Sequence, residues 1–343
     1  MNGATEKFTQ PMIFVTGASR SGTTMLSRML GKHSSVAGLR ELHCFGDLYD
    51  AGKLGEHIER NQAVRLSAQL IARSMRDVWG NLLDQDRVEA EKLWHSVPDG
   101  TLQAGQVIAT TLAHLAEKLG KVIPCEQTPR NIFYAADLLE SYPNLKMVHL
   151  ARDPRDVLAS QKNRWKRKRL GGSNIPYSEI VRVWFNYHPY TISKLWVKAN
   201  RLALQLAGHP RFRLVRFEDI VARPQIELEK LCNFLELPFE PGMLDVPQVG
   251  SSHRSNADQT LGVTSSSVNR WVETLSSGEV FVCERLAGPL MDELSYPRGT
   301  NDSHIDPSVL AQILKYPVHA AGVLATNPRR AWIQFQAILG KSK

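Results

Sequence analysis

The sequence predicts an α/β protein with a central parallel sheet flanked by helices in three layers, a helical insertion and a helical C-terminal tail. Three observations carry this expectation. Short apolar runs, among them Met12–Val15, Leu145–Leu150 and Phe212–Arg216, alternate with longer stretches of helical periodicity, the pattern of parallel strands joined by right-handed crossovers. The first of these runs breaks at Gly17 into a loop of small and hydroxyl residues, GASRSGTT, that opens a helix. At 343 residues the chain is long enough for one large core with embellishments.

Taken in order, Met12–Val15 is a buried strand, Thr23–Leu30 a helix stopped at Gly31, and Ser35–Gly38 a brief second strand leading into Leu39-Arg40-Glu41-Leu42-His43. Residues 51–120 are helical and amphipathic, with apolar spacings of three and four over Ile58–Val78 and Val107–Leu119. They form an insertion expected to pack over the sheet. A strand returns at Lys121–Pro124 and a helix follows to about Ser141. The strand Leu145–Leu150 runs into a helix that Asp153 caps and Pro154 starts. Ser178–Ala207 reads as one long helix whose aromatics, Trp184, Phe185, Tyr187, Tyr190 and Trp196, are expected in the core. Phe212–Arg216 is a strand, Gln225–Leu235 a helix, Val249–Val268 a loop, and Ser277–Leu294 a helix. In the tail, Asp306-Pro307 starts one helix and Asn327-Pro328-Arg329-Arg330 another, amphipathic one, and packing on the body is favoured over dimer or membrane-surface contact because the apolar segments are short.

Composition narrows the class. The formal net charge is +8, which serves either surface solubility or the attraction of an anionic ligand. Dense Lys/Arg blocks with interleaved aromatics are lacking, so nucleic acid is not expected. Cys44, Cys125, Cys232 and Cys283 lie far apart without C-x-x-C or metal-ligand spacing, which argues against a zinc site or a disulfide framework and for a reducing compartment. The N-terminus lacks an apolar signal-peptide core, and no run approaches the roughly 20 apolar residues of a membrane span. A cytoplasmic protein is expected.

In parallel sheets ligands bind beyond the carboxyl ends of the strands, where this chain places Arg20, Glu41, Gln127, Arg152 and Arg216. A strand that ends in glycines and opens a helix makes an anion site, because backbone N–H groups converge there and the helix dipole favours negative charge. Gly17–Thr24 nearly fits the phosphate-binding pattern G-x-x-x-x-G-K-[ST], so the fold is P-loop-like, but Thr23 stands where the lysine should be. That departure argues against a triphosphate with Mg²⁺ and for a mononucleotide with one activated group. Arg152 at a strand end, with Ser160 and Arg164 one helical turn apart on the next helix, suits a second phosphate. The alternative is a self-paired, solvated capping turn over Arg152–Asp156.

Four segments occurring in this order, GASRSGTT, VHLARDPRDVLAS, LVRFEDIVARP and SSSVNRW, resemble those of sulfotransferases that use 3′-phosphoadenosine-5′-phosphosulfate (PAPS). The similarity spans Met12 to Tyr296 and is greatest toward bacterial sulfotransferase-family proteins and, at the active site, protein-tyrosine sulfotransferases. It implies a sulfotransferase domain over 1–297, with 51–120 as an insertion and 298–343 as a helical extension. It implies further that Arg20 stabilises the leaving phosphate, that Ser21, Gly22, Thr23 and Thr24 hold the 5′-phosphate, and that Arg152, Ser160 and Arg164 hold the 3′-phosphate. Arg270 would close over the nucleotide, Glu41 would be the general base, and Ser255, in HRSN, a catalytic serine. Two positions depart from the pattern: Gln127, in CEQTPRN, where many relatives have a lysine, and Phe217 in place of a tyrosine.

The chemistry implied is in-line transfer of a sulfuryl group from PAPS to the hydroxyl of a sugar, lipid, small molecule or peptide tyrosine, without a metal. The bland reading of Glu41 is a surface carboxylate paired with Arg40. Two other functions share the loop: a P-loop nucleotide kinase or hydrolase, disfavoured by Thr23, and a non-catalytic nucleotide-binding relative, suggested by Gln127. Residues 51–120 and Trp184–Trp196 are expected to shape the acceptor pocket.

Overall fold

The structure, a computed structural model, describes residues 8–78, 80–98, 100–162, 177–246, 262, 267–299, 307–326 and 328, with backbone only for 177–180. The chain enters strand β1 (Met12–Gly17), turns through the glycine loop into helix α1 (Thr23–Gly31), and returns as β2 (Val36–Gly38). A two-residue antiparallel ribbon, β3 (His57–Ile58) with β4 (Leu102–Gln103), brackets α2 (Arg60–Arg76) and α3 (Asp84–Trp94). Helix α4 (Ala104–Glu117) leads to β5 (Ile123–Glu126), followed by α5 (Ala135–Ser141), β6 (Leu145–Ala151) and α6 (Pro154–Lys162). Then come α7 (Tyr177–Phe185), α8 (Pro189–Gln205), β7 (Phe212–Arg216), α9 (Phe217–Ala222) and α10 (Pro224–Leu235). The last described elements are α11 (Trp271–Thr274), α12 (Ser277–Glu293) and α13 (Pro307–Thr326).

The main sheet is wholly parallel in the order β2-β5-β1-β6-β7. Strand period two divides its core. Met12, Phe14 and Met147 face one side with Leu70, Leu112, Tyr142 and Ala199, while Ile13, Val15 and Val148 face the other with Leu26, Leu30 and Leu228. Helices therefore cover both faces, giving the three expected layers. A third apolar cluster joins α6, α8 and α12 through Leu158, Trp196 and Met291. Inside β6, His149 is fully buried between Thr16 Oγ1 (3.1 Å) and Asn200 Oδ1 (3.3 Å), and burial pulls its pKa down to about 4.

Four local expectations need correcting. The aromatic stretch is two helices, not one, because His188 precedes Pro189 and is held extended (φ −151°, ψ 134°) while its ring caps Tyr190 N–H. Of its five aromatics Trp196 is fully buried, whereas Trp184 is 47% exposed. The strand expected at Lys121–Pro124 lies two residues later, at Ile123–Glu126, where Cys125 pairs with Ile13. Gly31 is not a left-handed stop: the helix ends beside it on Lys32 in right-handed geometry, and a Cβ on Gly31 would stand 3.0 Å from Gly38 Cα. Its role is close approach of helix and strand. The ribbon β3–β4 and helix α9 were not expected from the sequence at all.

The tail helix α13 packs on α12 and α7 along one side. Among the described residues no helix is long and apolar enough to cross a membrane.

Candidate active site

Chain order and strand order together create the site. From β1 the chain moves to the β2 edge, then crosses back to β6 and β7, so the loops after β1 and β6 leave neighbouring strand ends, with Gly17 paired to Leu150. A crevice at such a switch point is where ligands bind in open α/β sheets.

The loop after β1 is built for an anion. Gly22 caps α1 at φ 100° with no side-chain acceptor for the first helical N–H groups, so these donors remain for a ligand. Arg20 adopts φ 79°, a left-handed conformation that a non-glycine residue holds only under constraint from its surroundings. Ser21 Oγ is buried without a partner. Thr23, in the lysine position of a triphosphate loop, is 3% exposed. The hydroxyl of Thr24 donates to Gln127 Oε1 at 3.2 Å, which leaves the Gln127 N–H groups as its donors.

Arg152, one residue beyond β6, ties two segments to this loop. It donates to the carbonyl of Arg20 (3.0 Å) and to that of Ser267 (2.6 Å), and its Nε is buried without a partner. Its guanidinium lies 4.4 Å over the ring of Phe217, a favourable cation–π contact. Phe217 in turn fills the space beside Gly22, where a Cβ would come within 2.5 Å of the ring. Burial draws the pKa of Arg152 down, opposed by the nearby carboxylates of Asp156, Glu218 and Asp153. Arg20 Nε donates to Ser160 Oγ at 3.0 Å, so Arg20 is held through its side chain by α6 and through its carbonyl by Arg152.

The turn Arg152–Asp156 is neither solvated nor wholly self-paired. Arg155 is the member that pairs locally, with Asp153 (2.7 Å), and with Glu284 of α12 (2.8 Å), and all three are buried. Its guanidinium also covers the Trp271 ring at 4.1 Å. Asp156 accepts the backbone N–H of Asn269 (2.8 Å) and of Trp271 (3.0 Å); burial raises its pKa and Arg152 opposes that rise. Arg270 is thereby carried between two anchored neighbours.

At the β2 edge, Glu41 lies 3.1 Å from His43 Nε2 and is 42% exposed, while Arg40 pairs with Asp77 at 2.9 Å. His43 has φ 46°, donates its N–H to Thr128 Oγ1 at 3.0 Å, and has a buried Nδ1 without a partner. Beneath it Glu126, 2% exposed, accepts from Leu42 N–H (3.0 Å), Thr128 N–H (3.0 Å), Thr128 Oγ1 and Asn131 Nδ2 (2.7 Å). Burial pushes the Glu126 pKa up, and these donors oppose the rise. Strand β5 stands between β2 and β1, so Gln127 is interposed between the Glu41 segment and the glycine loop, which are two strand spacings, about 10 Å, apart.

The structure thus links Ser160 and Arg152 to Arg20, joins Thr24 to Gln127, and sets Glu41 beside His43 in the segment that follows β2. Arg164 and Ser255 lie outside the described residues. Sequence reading missed His43, Glu126 and Asp156 as supports, and treated Phe217 only as a lost hydroxyl. Only the two-residue spacing of Glu41 and His43 could have drawn attention to one of them. The unpartnered Ser21 Oγ, Arg152 Nε and α1 N–H groups fit a phosphate-bearing nucleotide.

Residues 11–241 match the sequence model of the Sulfotransferase family. Protein-tyrosine sulfotransferase A of Caenorhabditis elegans is 21% identical over 328 residues, covering 92% of this chain and 75% of that protein. An uncharacterized protein of Aquifex aeolicus is 23% identical over 277 residues, covering 76% of this chain and 30% of its own length, so the chain spans about a third of that relative. The sulfotransferase domain from the curacin biosynthetic pathway has a similar fold, with a TM-score of 0.50 at 19% identity over 85% of this chain and all of that one.

Proposed function

The chain belongs to the sulfotransferase family, and we propose that it transfers a sulfuryl group from PAPS to an acceptor hydroxyl, with Glu41 as general base. The observation that supports this most is the pairing of an uncapped helix N-terminus after β1 with Arg152 after β6, each holding an unsatisfied buried polar atom. Two phosphate-sized demands at neighbouring strand ends suit a nucleotide with phosphates at both its 3′ and 5′ positions.

PAPS supplies a sulfuryl group activated by a phosphate leaving group. In this reading Ser21, Gly22, Thr23 and Thr24 hold the 5′-phosphate through hydroxyls and helix N–H groups. Arg20 neutralises charge developing on the leaving oxygen, where fixed donors act most strongly. Arg152, Ser160 and Arg164 hold the 3′-phosphate, and Arg270 closes from the segment that Asp156 anchors. Glu41 takes the proton of the acceptor oxygen, and His43 orients it. Gln127, interposed between these two halves, offers neutral donors toward the sulfuryl group in place of a lysine. Ser255 assists from the C-terminal loop.

The domain runs over 1–297 in this reading, with 51–120 and Trp184–Trp196 shaping the acceptor pocket and 298–343 as an extension. The acceptor is a small-molecule, glycan, lipid or peptide-tyrosine hydroxyl. The four unbridged, buried cysteines support a reducing, cytoplasmic setting. A mass-spectrometric comparison of cells with and without the gene tests the reading and identifies the acceptor class. Products gaining one sulfo group in the presence of wild type, and absent with Arg20→Ala, are expected. No such product across metabolite, glycan, lipid and peptide fractions would leave a nucleotide-binding protein without transfer activity.

A further inference from the structure

Helix α13 is amphipathic in the reverse of the usual sense. Its inward side buries Val309 and Val323 but also turns its polar groups toward the body. Ser308 Oγ lies 3.0 Å from Ser277 Oγ, His319 Nδ1 3.1 Å from the Phe185 carbonyl, and the Gln312 carbonyl 3.0 Å from His188 Nε2. The outward side is apolar. Leu310, Ile313, Leu314, Val318 and Leu324 are 55%, 61%, 67%, 58% and 60% exposed, and Pro317 and Ala321 between them are exposed as well. At 100° per residue they cover an arc of about 140° that no polar side chain interrupts. Trp184, 47% exposed, stacks on His319 at the margin of the helix.

Single exposed leucines are ordinary, but a continuous stripe of them marks a contact surface. Nothing among the described residues covers it. Charge identifies the occupant. Residues 307–343 contain Lys315, Arg329, Arg330, Lys341 and Lys343 and no Asp or Glu, whereas the 306 residues before them carry 37 Lys/Arg against 34 Asp/Glu. Most of the net positive charge thus lies in the segment that carries the apolar stripe. A second copy of the chain would bring two such basic segments together, whereas an anionic surface complements them. An exposed apolar helix face carried by a basic segment is suited to the interface of an anionic bilayer. Among the described residues no helix is suited to span one.

We propose that the outward face of α13 docks on the surface of an anionic phospholipid bilayer, with the helix lying in the plane of the headgroups. The test is co-sedimentation of the full chain with vesicles of phosphatidylcholine alone or mixed with phosphatidylglycerol. Binding is expected to the mixed vesicles and to weaken as salt is raised. The double substitution Leu314→Glu, Val318→Glu should reduce it by about tenfold or more, since two side chains lose their apolar burial. Val122→Glu, at a residue 71% exposed outside this helix, should bind as wild type does. Because the substituted side chains are exposed, an unchanged thermal melt is expected for each variant. Three results would overturn the proposal: no binding to mixed vesicles, binding unaffected by the double substitution, or self-association that the double substitution abolishes.

Discussion

In the proposed mechanism Glu41 and His43, two residues apart and 3.1 Å from each other, serve the acceptor side, and their roles separate by experiment. Glu41→Gln keeps the shape and removes the proton acceptor, so kcat should fall by about 10²- to 10⁴-fold. Affinity for adenosine 3′,5′-bisphosphate should stay within about twofold, measured by calorimetry. His43→Asn removes the ring that meets Glu41 at 3.1 Å and should lower kcat by about tenfold, again with nucleotide affinity unchanged. A loss of nucleotide affinity in either variant would move the residue to the donor side. Arg152→Ala is the converse case. It deletes hydrogen bonds from a charged group to two carbonyls and any made to phosphate, each worth about 1.5–3 kcal/mol, so affinity should drop ten- to a hundredfold or more. At this scale Arg20 and Arg152 were legible because each follows an apolar strand within three residues in sequence. Phe217 and Asp156 were not: their partners, Gly22 and Asn269, are far away in the chain.

The element that carries most of the proposed chemistry is β1–loop–α1, and its backbone limits what it tolerates. Gly22→Ala puts a side chain at φ 100° and drives a Cβ into Phe217. The conformation alone costs about 1–3 kcal/mol. The variant should fold with a lowered melting temperature and lose nucleotide binding, as a thermal shift with and without adenosine 3′,5′-bisphosphate would show. This element was readable from sequence because its determinants are contiguous: an apolar run, two glycines, and hydroxyls at a helix start. β5 was displaced by two residues because the apolar run Val122-Ile123-Pro124-Cys125 gives no edge, and pairing of Cys125 with Ile13 fixes the register instead. The break before α8 was signalled by Pro189, but the flanking aromatic periodicity concealed it. The ribbon β3–β4 has only two residues in each strand, too few for any period to register.

Across the molecule, separate apolar cores fill the two faces of the sheet, and His149 in β6 couples this interior to pH. Its folded-state pKa, about 4, is below the ordinary value of 6.5, so the unfolded chain takes up a proton first as pH falls. Stability from this group is complete above about pH 6.5 and declines toward pH 4, by up to about 3 kcal/mol. Denaturant melts at pH 7 and pH 4.5 should show wild type losing more stability than His149→Gln between the two; equal losses would mean His149 is not held neutral. The three-layer arrangement was legible as a whole because strand and helix periods alternate along most of the chain. The direction of the exposed face of α13 was not, since an apolar helix stripe reads the same whether it faces the core or solvent. The central claim is that the β1 and β6 loops bind a nucleotide phosphorylated at both its 3′ and 5′ positions. Titration calorimetry with adenosine 3′,5′-bisphosphate, without added metal, tests it most directly. One-to-one binding that is lost in Arg152→Ala is the result predicted; no binding, together with Mg²⁺-dependent binding and turnover of ATP, would contradict it.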